Sequence, residues 1–311
     1  MSTTIQYRWV ILGVLLFCQL AQSISYQGPP PILGILIQHL NISYAQAGGL
    51  MSLYSFPRIF LALPSGMLVD RYGAKKVGCF ALLTLSFGTG MFAAGSSYWF
   101  LAGGRLLAGI GTTFFLVATL HGVTTWFRDR EVGLSMGSYH TAMPLGTILS
   151  LNFVGVFATR FGWRAPMVTI FILCAAAFLL FTVLYKERNS EMNVRPEPLN
   201  PMKILKKAGW RIWMVAAMWG ILSGAILPYF TYAPDFFVSQ GKSLGQAGLL
   251  ASYPMWASVV LAPFFGIMID RMGRKRLLNH AGFICCAVLY FLIPRFAPYA
   301  AVFAIIIGVF A

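Results

Sequence analysis

Gly66-Met67-Leu68-Val69-Asp70-Arg71-Tyr72-Gly73-Ala74-Lys75-Lys76 returns 200 residues later as Gly266-Ile267-Met268-Ile269-Asp270-Arg271-Met272-Gly273-Arg274-Lys275-Arg276. Each copy closes a long apolar stretch. A charged hairpin repeated between hydrophobic spans implies a membrane protein of two related halves. The match extends upstream: residues 45–76 align with 245–276 without a gap, pairing Gln46 with Gln246, Gly48 with Gly248, Leu50 with Leu250 and Ser52 with Ser252. Two spans, the second and the eighth, therefore occupy equivalent places in parallel repeats.

Composition agrees. Hydrophobic residues make up 58% of the chain and charged residues 10%, where a soluble domain carries about 25% charged residues. So few charges cannot cover a soluble surface, and lipid is the expected solvent. The net charge of +15 does not point to nucleic acid, because the cations sit in short loops between spans and form no stripe.

A crossing needs about 20 apolar residues. Spans are predicted at 9–38, 45–69, 77–95, 98–125, 131–159, 163–185, 210–235, 245–269 and 276–294, with a tenth starting at Tyr299. Thirteen residues remain for that last one, about 20 Å of helix, so the chain is expected to belong to a longer protein. Arg8, the apolar run Trp9 to Phe17 and Ala21-Gln22-Ser23 have the outline of a signal peptide. The hydrophobic stretch that follows favours a first span instead.

Loop cations set the orientation. With a cytoplasmic N-terminus, seventeen Lys and Arg fall inside, four outside, and two, Arg58 and Arg105, within spans. Residues 1–185 are then a first six-helix bundle, 186–209 a cytoplasmic linker with Pro196, Pro198 and Pro201, and 210–311 part of a second bundle. Cys18, Cys79, Cys174, Cys285 and Cys286 lie in apolar segments without metal-ligand spacing, so they read as small core residues. No metal, no cofactor and no catalytic nucleophile–base cluster is expected, and the chain does not read as an enzyme.

The Gly-x-x-x-Asp-Arg-x-Gly-x-Lys-Lys pattern resembles the signature loop of the major facilitator superfamily, in its prokaryotic form. Its second copy, Arg105 with Gly109 and Gly111, Trp126-Phe127-Arg128-Asp129-Arg130-Glu131, and Phe161-Gly162-Trp163-Arg164 carry the same resemblance over essentially the whole chain. It implies an all-α membrane fold of two six-helix bundles, with about nine and a half helices present. It also implies alternating-access transport. By resemblance, Gly66, Asp70, Arg71 and Gly73 with Gly266, Asp270, Arg271 and Gly273 form a conformational latch, and Arg105 serves proton coupling or bundle integrity.

The residues suggest where cargo would bind. Arg58 lies twelve positions before Asp70, about 18 Å along a helix and so near the membrane midplane. A cation there is costly and usually functional, and its repeat partner is Ser258. Gln19, Gln22, Ser23 and Tyr26 share one face of helix 1, ahead of Gly28 and Pro29-Pro30-Pro31. Helix 7, its symmetry mate, carries Tyr229 and Tyr232 between Pro228 and Pro234, with Asp235 directly after. Broken, aromatic segments at matching positions point to a binding site. The expected substrate-binding set is Arg58, Gln22, Tyr26, Tyr229 and Tyr232; the coupling candidates are Arg105, His140 and Asp235. Helix 5 departs from the antiporter pattern, since Gly137 and Pro144 miss the Gly-x-x-x-Gly-Pro register. The expectation is a monomeric transporter in the inner membrane, in contact with membrane lipid, that moves a small organic anion with a proton. Efflux of a drug or neutral metabolite, and a non-transporting sensor, are the alternatives.

Overall fold

The computed structural model describes residues 2–127, 132–187, 209–256 and 259. Among the described residues every regular element is helical. The first span comprises α1 (Ser2–Gln27), a 3-10 turn (Pro30–Ile32) and α2 (Leu33–Leu40). The second is α3 (Tyr44–Ser55) with α4 (Pro57–Tyr72). The third and fourth are α5 (Ala74–Ala94) and α6 (Tyr98–Trp126). The fifth runs through α7 (Val132–Leu149), a π segment (Ser150–Val154) and α8 (Gly155–Phe161). α9 (Arg164–Leu184) is the sixth and α10 (Trp210–Ser239) the seventh. Residues 244–256, α11, begin the eighth.

Residues 7–40, 74–94, 98–126, 134–161 and 164–184 are each long and apolar enough to cross a membrane. The second copy of the charged hairpin lies outside the described residues, with Gly266, Asp270, Arg271 and Gly273. So do Arg128 to Glu131, residues 188–208 of the expected linker, Ser258, Cys285, Cys286 and the last spans.

Local chemistry explains the breaks. Proline has no N–H to donate, so α1 stops before Pro29, Pro30 and Pro31, and the second span breaks at Pro57. Asn41 ends α2 in the left-handed region at φ 51°, a conformation asparagine tolerates. Ser43 then opens α3 with a capping box: the Gln46 amide donates to its Oγ at 3.2 Å, and its own amide donates to Gln46 Oε1 at 2.9 Å. Gly73 ends α4 at φ 85°, which a side chain would strain.

Small residues pack the first bundle. A Cβ on Gly88, Gly104 or Gly111 would collide with main-chain atoms across the α5–α6 seam; such residues allow close helix approach in lipid. Around that seam lies a core that includes Leu15, Cys18, Tyr54, Leu85, Phe115, Cys174 and Phe181. A second, smaller core joins the halves: Leu151 of the π segment, Phe230, Ala233 and Phe237 of α10, and Ala247 and Ala251 of α11.

Candidate functional site

Three prolines leave the carbonyls of Ser25, Tyr26 and Gln27 without their usual helical donors, which would be the amides of residues 29, 30 and 31. Arg105 meets two of these. It donates from Nη1 to Ser25 O at 3.1 Å, from Nη2 to Tyr26 O at 3.3 Å, and from Nε to Leu50 O at 3.1 Å. Its guanidinium stacks on Tyr54 with 4.3 Å to the ring centroid. The residue is buried and binds together the break in helix 1 and the adjoining turn of α3.

The polar stripe of helix 1 faces neighbouring helices of its own bundle. Gln19 Oε1 accepts from Tyr139 Oη at 2.7 Å, and Tyr139 shares a 2.7 Å bond with Thr119. Gln22 Nε2 donates to Tyr54 Oη at 3.5 Å, and Tyr54 bonds Thr112 at 2.6 Å. Ser23 donates to Met143 O at 2.7 Å. Tyr26 packs its ring 5.0 Å from that of Tyr54. Gln22 is buried and Tyr26 half-buried. Tyr54, Tyr139 and the two threonines are the members that sequence reasoning missed; an apolar span with scattered hydroxyls gives no sign of which pair.

Arg58 sits in the first turn after the break at Pro57 and is exposed. It makes no hydrogen bond or ion pair among the described residues. The break also turns the Tyr54 carbonyl onto α6, into the space that a Cβ on Gly109 would fill.

The helix 7 candidates sit at the seam between the halves. Tyr229 is half-buried beside the smaller core, its ring 5.3 Å from Phe230. The Tyr232 hydroxyl fills the space over Gly48. Asp235 accepts from Tyr44 Oη at 2.7 Å, and a Cβ on Gly34 would stand 2.6 Å from its Oδ1. That bond raises the Tyr44 phenol pKa. Pro31, Gly34, Gln38, Asp235 and Leu244 help line a cavity of about 140 Å³ here. Across the seam, Asn152 donates to Ser252 Oγ at 3.0 Å, and Leu151 presses its carbonyl on Gly248. These contacts lie at the end of the bundle marked by the Ser43 and Ser243 turns. At the other end of α10, Trp210, Ile212, Trp213 and Met214 are exposed.

The remaining candidates stand apart from this seam. His140 is exposed, edge-on to Tyr139 at 5.6 Å. Gly66 has open space where a Cβ would point, and Asp70 is exposed. Arg71 lies 5.3 Å from the Tyr72 ring centroid, and the Glu187 carboxylate covers Gly73. Structure thus brings Tyr232, Asp235 and helix 1 together, and keeps Arg58, His140 and the Asp70 loop separate from them.

Comparison with known proteins gives the family. The Major Facilitator Superfamily model matches residues 15–311, and the chain belongs to that superfamily. It is 25% identical over 294 residues to the lysosomal dipeptide transporter MFSD1 of Danio rerio, covering 86% of this chain and 63% of that protein. It is 22% identical over 296 residues to the probable sulfoacetate transporter SauU of Cupriavidus necator, covering 88% and 68%. Among solved structures, the nucleoside transporter NupG (D323A mutant) superposes with a TM-score of 0.75 at 14% identity, covering 96% of this chain and 80% of that one. The chain therefore spans a little under two thirds of the zebrafish relative, and it is an integral multi-pass membrane protein.

Proposed function

We propose that this chain is the larger part of a secondary transporter that works by alternating access and moves a small organic anion, such as a monocarboxylate, with a proton. The observation that carries the anion reading is Arg58. It is a mid-span arginine with no protein partner among the described residues, placed where the second helix breaks. Such breaks mark binding sites in transporters, and a guanidinium offers a carboxylate two parallel hydrogen bonds. SauU is named for sulfoacetate, an anion of this kind.

The loop carrying Asp70 and Arg71 and the N-terminus lie in the cytoplasm in this reading, as the loop cations suggest. The contacts at the Ser43 and Ser243 turns then close the outer end. Gly66, Asp70, Arg71 and Gly73 serve as a latch for the opposite state. Tyr232 and Asp235 act at the outer closure, with Asp235 as the coupling candidate.

Uptake of labelled monocarboxylates into proteoliposomes containing the full-length protein tests this, with and without an inward proton gradient. Wild type is expected to accumulate the anion only with the gradient. Arg58→Gln should lower uptake at least tenfold, the scale of one lost charge-assisted bond, while Arg58→Lys retains part of it. Unchanged uptake by Arg58→Gln overturns the anion site.

A further inference from the structure

A groove of about 450 Å³ runs between the fifth and sixth spans, within the roughly 300–1,000 Å³ usual for small-molecule sites. Phe153 and Phe157 of the fifth span, Ile170 and Leu173 of the sixth and Ile24 of α1 help line it. One cation lines it. Arg160, in the last turn of α8, is exposed and has no hydrogen bond, ion pair or ring contact among the described residues. Its neighbour Arg164 is differently placed: it donates to Gly95 O at 3.2 Å and lies 4.6 Å from the Trp163 ring centroid.

We propose that this groove binds one anionic phospholipid from the surrounding bilayer, with an acyl chain along the apolar walls and the phosphate on Arg160. An open apolar groove of this volume takes a lipid tail. An unneutralised guanidinium at one end adds a preference for an anionic headgroup, which it can bind with two hydrogen bonds. The level is right for a headgroup, because Trp99, at the same end of the bundle, is 81% exposed, and exposed tryptophans gather at the membrane–water interface. The bound tail also touches the π segment through Phe153 and Val154, whose Leu151 and Asn152 meet α11. Occupancy therefore bears on the contact between the halves.

Native mass spectrometry of the delipidated full-length protein tests the site, with phosphatidylglycerol and phosphatidylcholine of identical chains as probes. Wild type should retain one phosphatidylglycerol in preference to phosphatidylcholine. Arg160→Gln should weaken phosphatidylglycerol about tenfold, one charge-assisted bond, and leave phosphatidylcholine unchanged. Thr169→Trp keeps the arginine but fills the groove from its exposed rim, and should reduce both. Equal retention of the two lipids by wild type, which needs no variant to fold, overturns the proposal. So does full phosphatidylglycerol retention by either variant.

Discussion

Ser43 and Ser243 open α3 and α11 with the same reciprocal bonds. The Gln46 and Gln246 amides donate to the serine hydroxyls at 3.2 and 3.3 Å, and the serine amides donate to the glutamine side chains at 2.9 and 3.2 Å. Five residues on, Gly48 and Gly248 each receive the opposite half. Their visitors differ: a side-chain tip, the Tyr232 hydroxyl, covers Gly48, whereas the Leu151 backbone carbonyl covers Gly248. Ser52 donates within its own helix to Gly48 O at 3.1 Å and is exposed; Ser252 is fully buried and accepts from Asn152 at 3.0 Å. The repeated letters build the same turn and the same close approach. The partner decides whether the contact is compliant, through a side chain that can swing away, or rigid, through main chain that cannot.

The glycines should break this symmetry most. Gly248→Ala has to displace helix backbone, and overpacking of this kind costs about 1–3 kcal/mol. Gly48→Ala only has to move the tyrosine tip. Thermal melts in detergent should show Gly248→Ala several degrees below Gly48→Ala; equal shifts would mean that the two contacts are alike after all. The caps should preserve the symmetry. Ser43→Ala and Ser243→Ala are each expected to cost about 1 kcal/mol, and unequal losses would show that the neighbours, not the box, set the stability of these turns. The smallest effect belongs to Tyr44→Phe, at most about 1 kcal/mol, because the bond to Asp235 is exposed. The phenol pKa is raised above its ordinary value, about 10, so its contribution is present below that value and is lost only as pH rises through the folded one. Melts of the variant against wild type should therefore differ equally at pH 7 and pH 9.

Spans were the legible part. Apolar runs long enough to cross place most span ends within a few residues of those observed, although α1 starts at Ser2 rather than at residue 9 and the break at Pro57 inside the second span lies hidden in an unbroken apolar run. The capping boxes are also spelled in the letters, as Ser43-x-x-Gln46 and Ser243-x-x-Gln246, a weaker signal than the charged hairpin. Arg105 was visible as a costly cation, and Pro29 to Pro31 as a helix stop. That one supplies the donors the other removes depends on two helices meeting, which a linear pattern does not encode. The stripe from Gln19 to Tyr26 was readable as a face, but its partners, Tyr139 and Tyr54, come from other helices. Arg58 was read from its depth alone, and the structure adds its exposure and the break beside it.

The π segment from Ser150 to Val154 contains neither glycine nor proline, so nothing in its letters announces it. A wide turn of this kind is an α-helix with one residue too many. That surplus residue turns everything beyond it by about 100° relative to an uninterrupted helix. Deleting a single residue here would change the clocking of the whole outer segment, swinging Phe157 and Arg160 to another side while their sequence stayed intact. The length of this turn, more than its composition, sets which way the end of the fifth span looks.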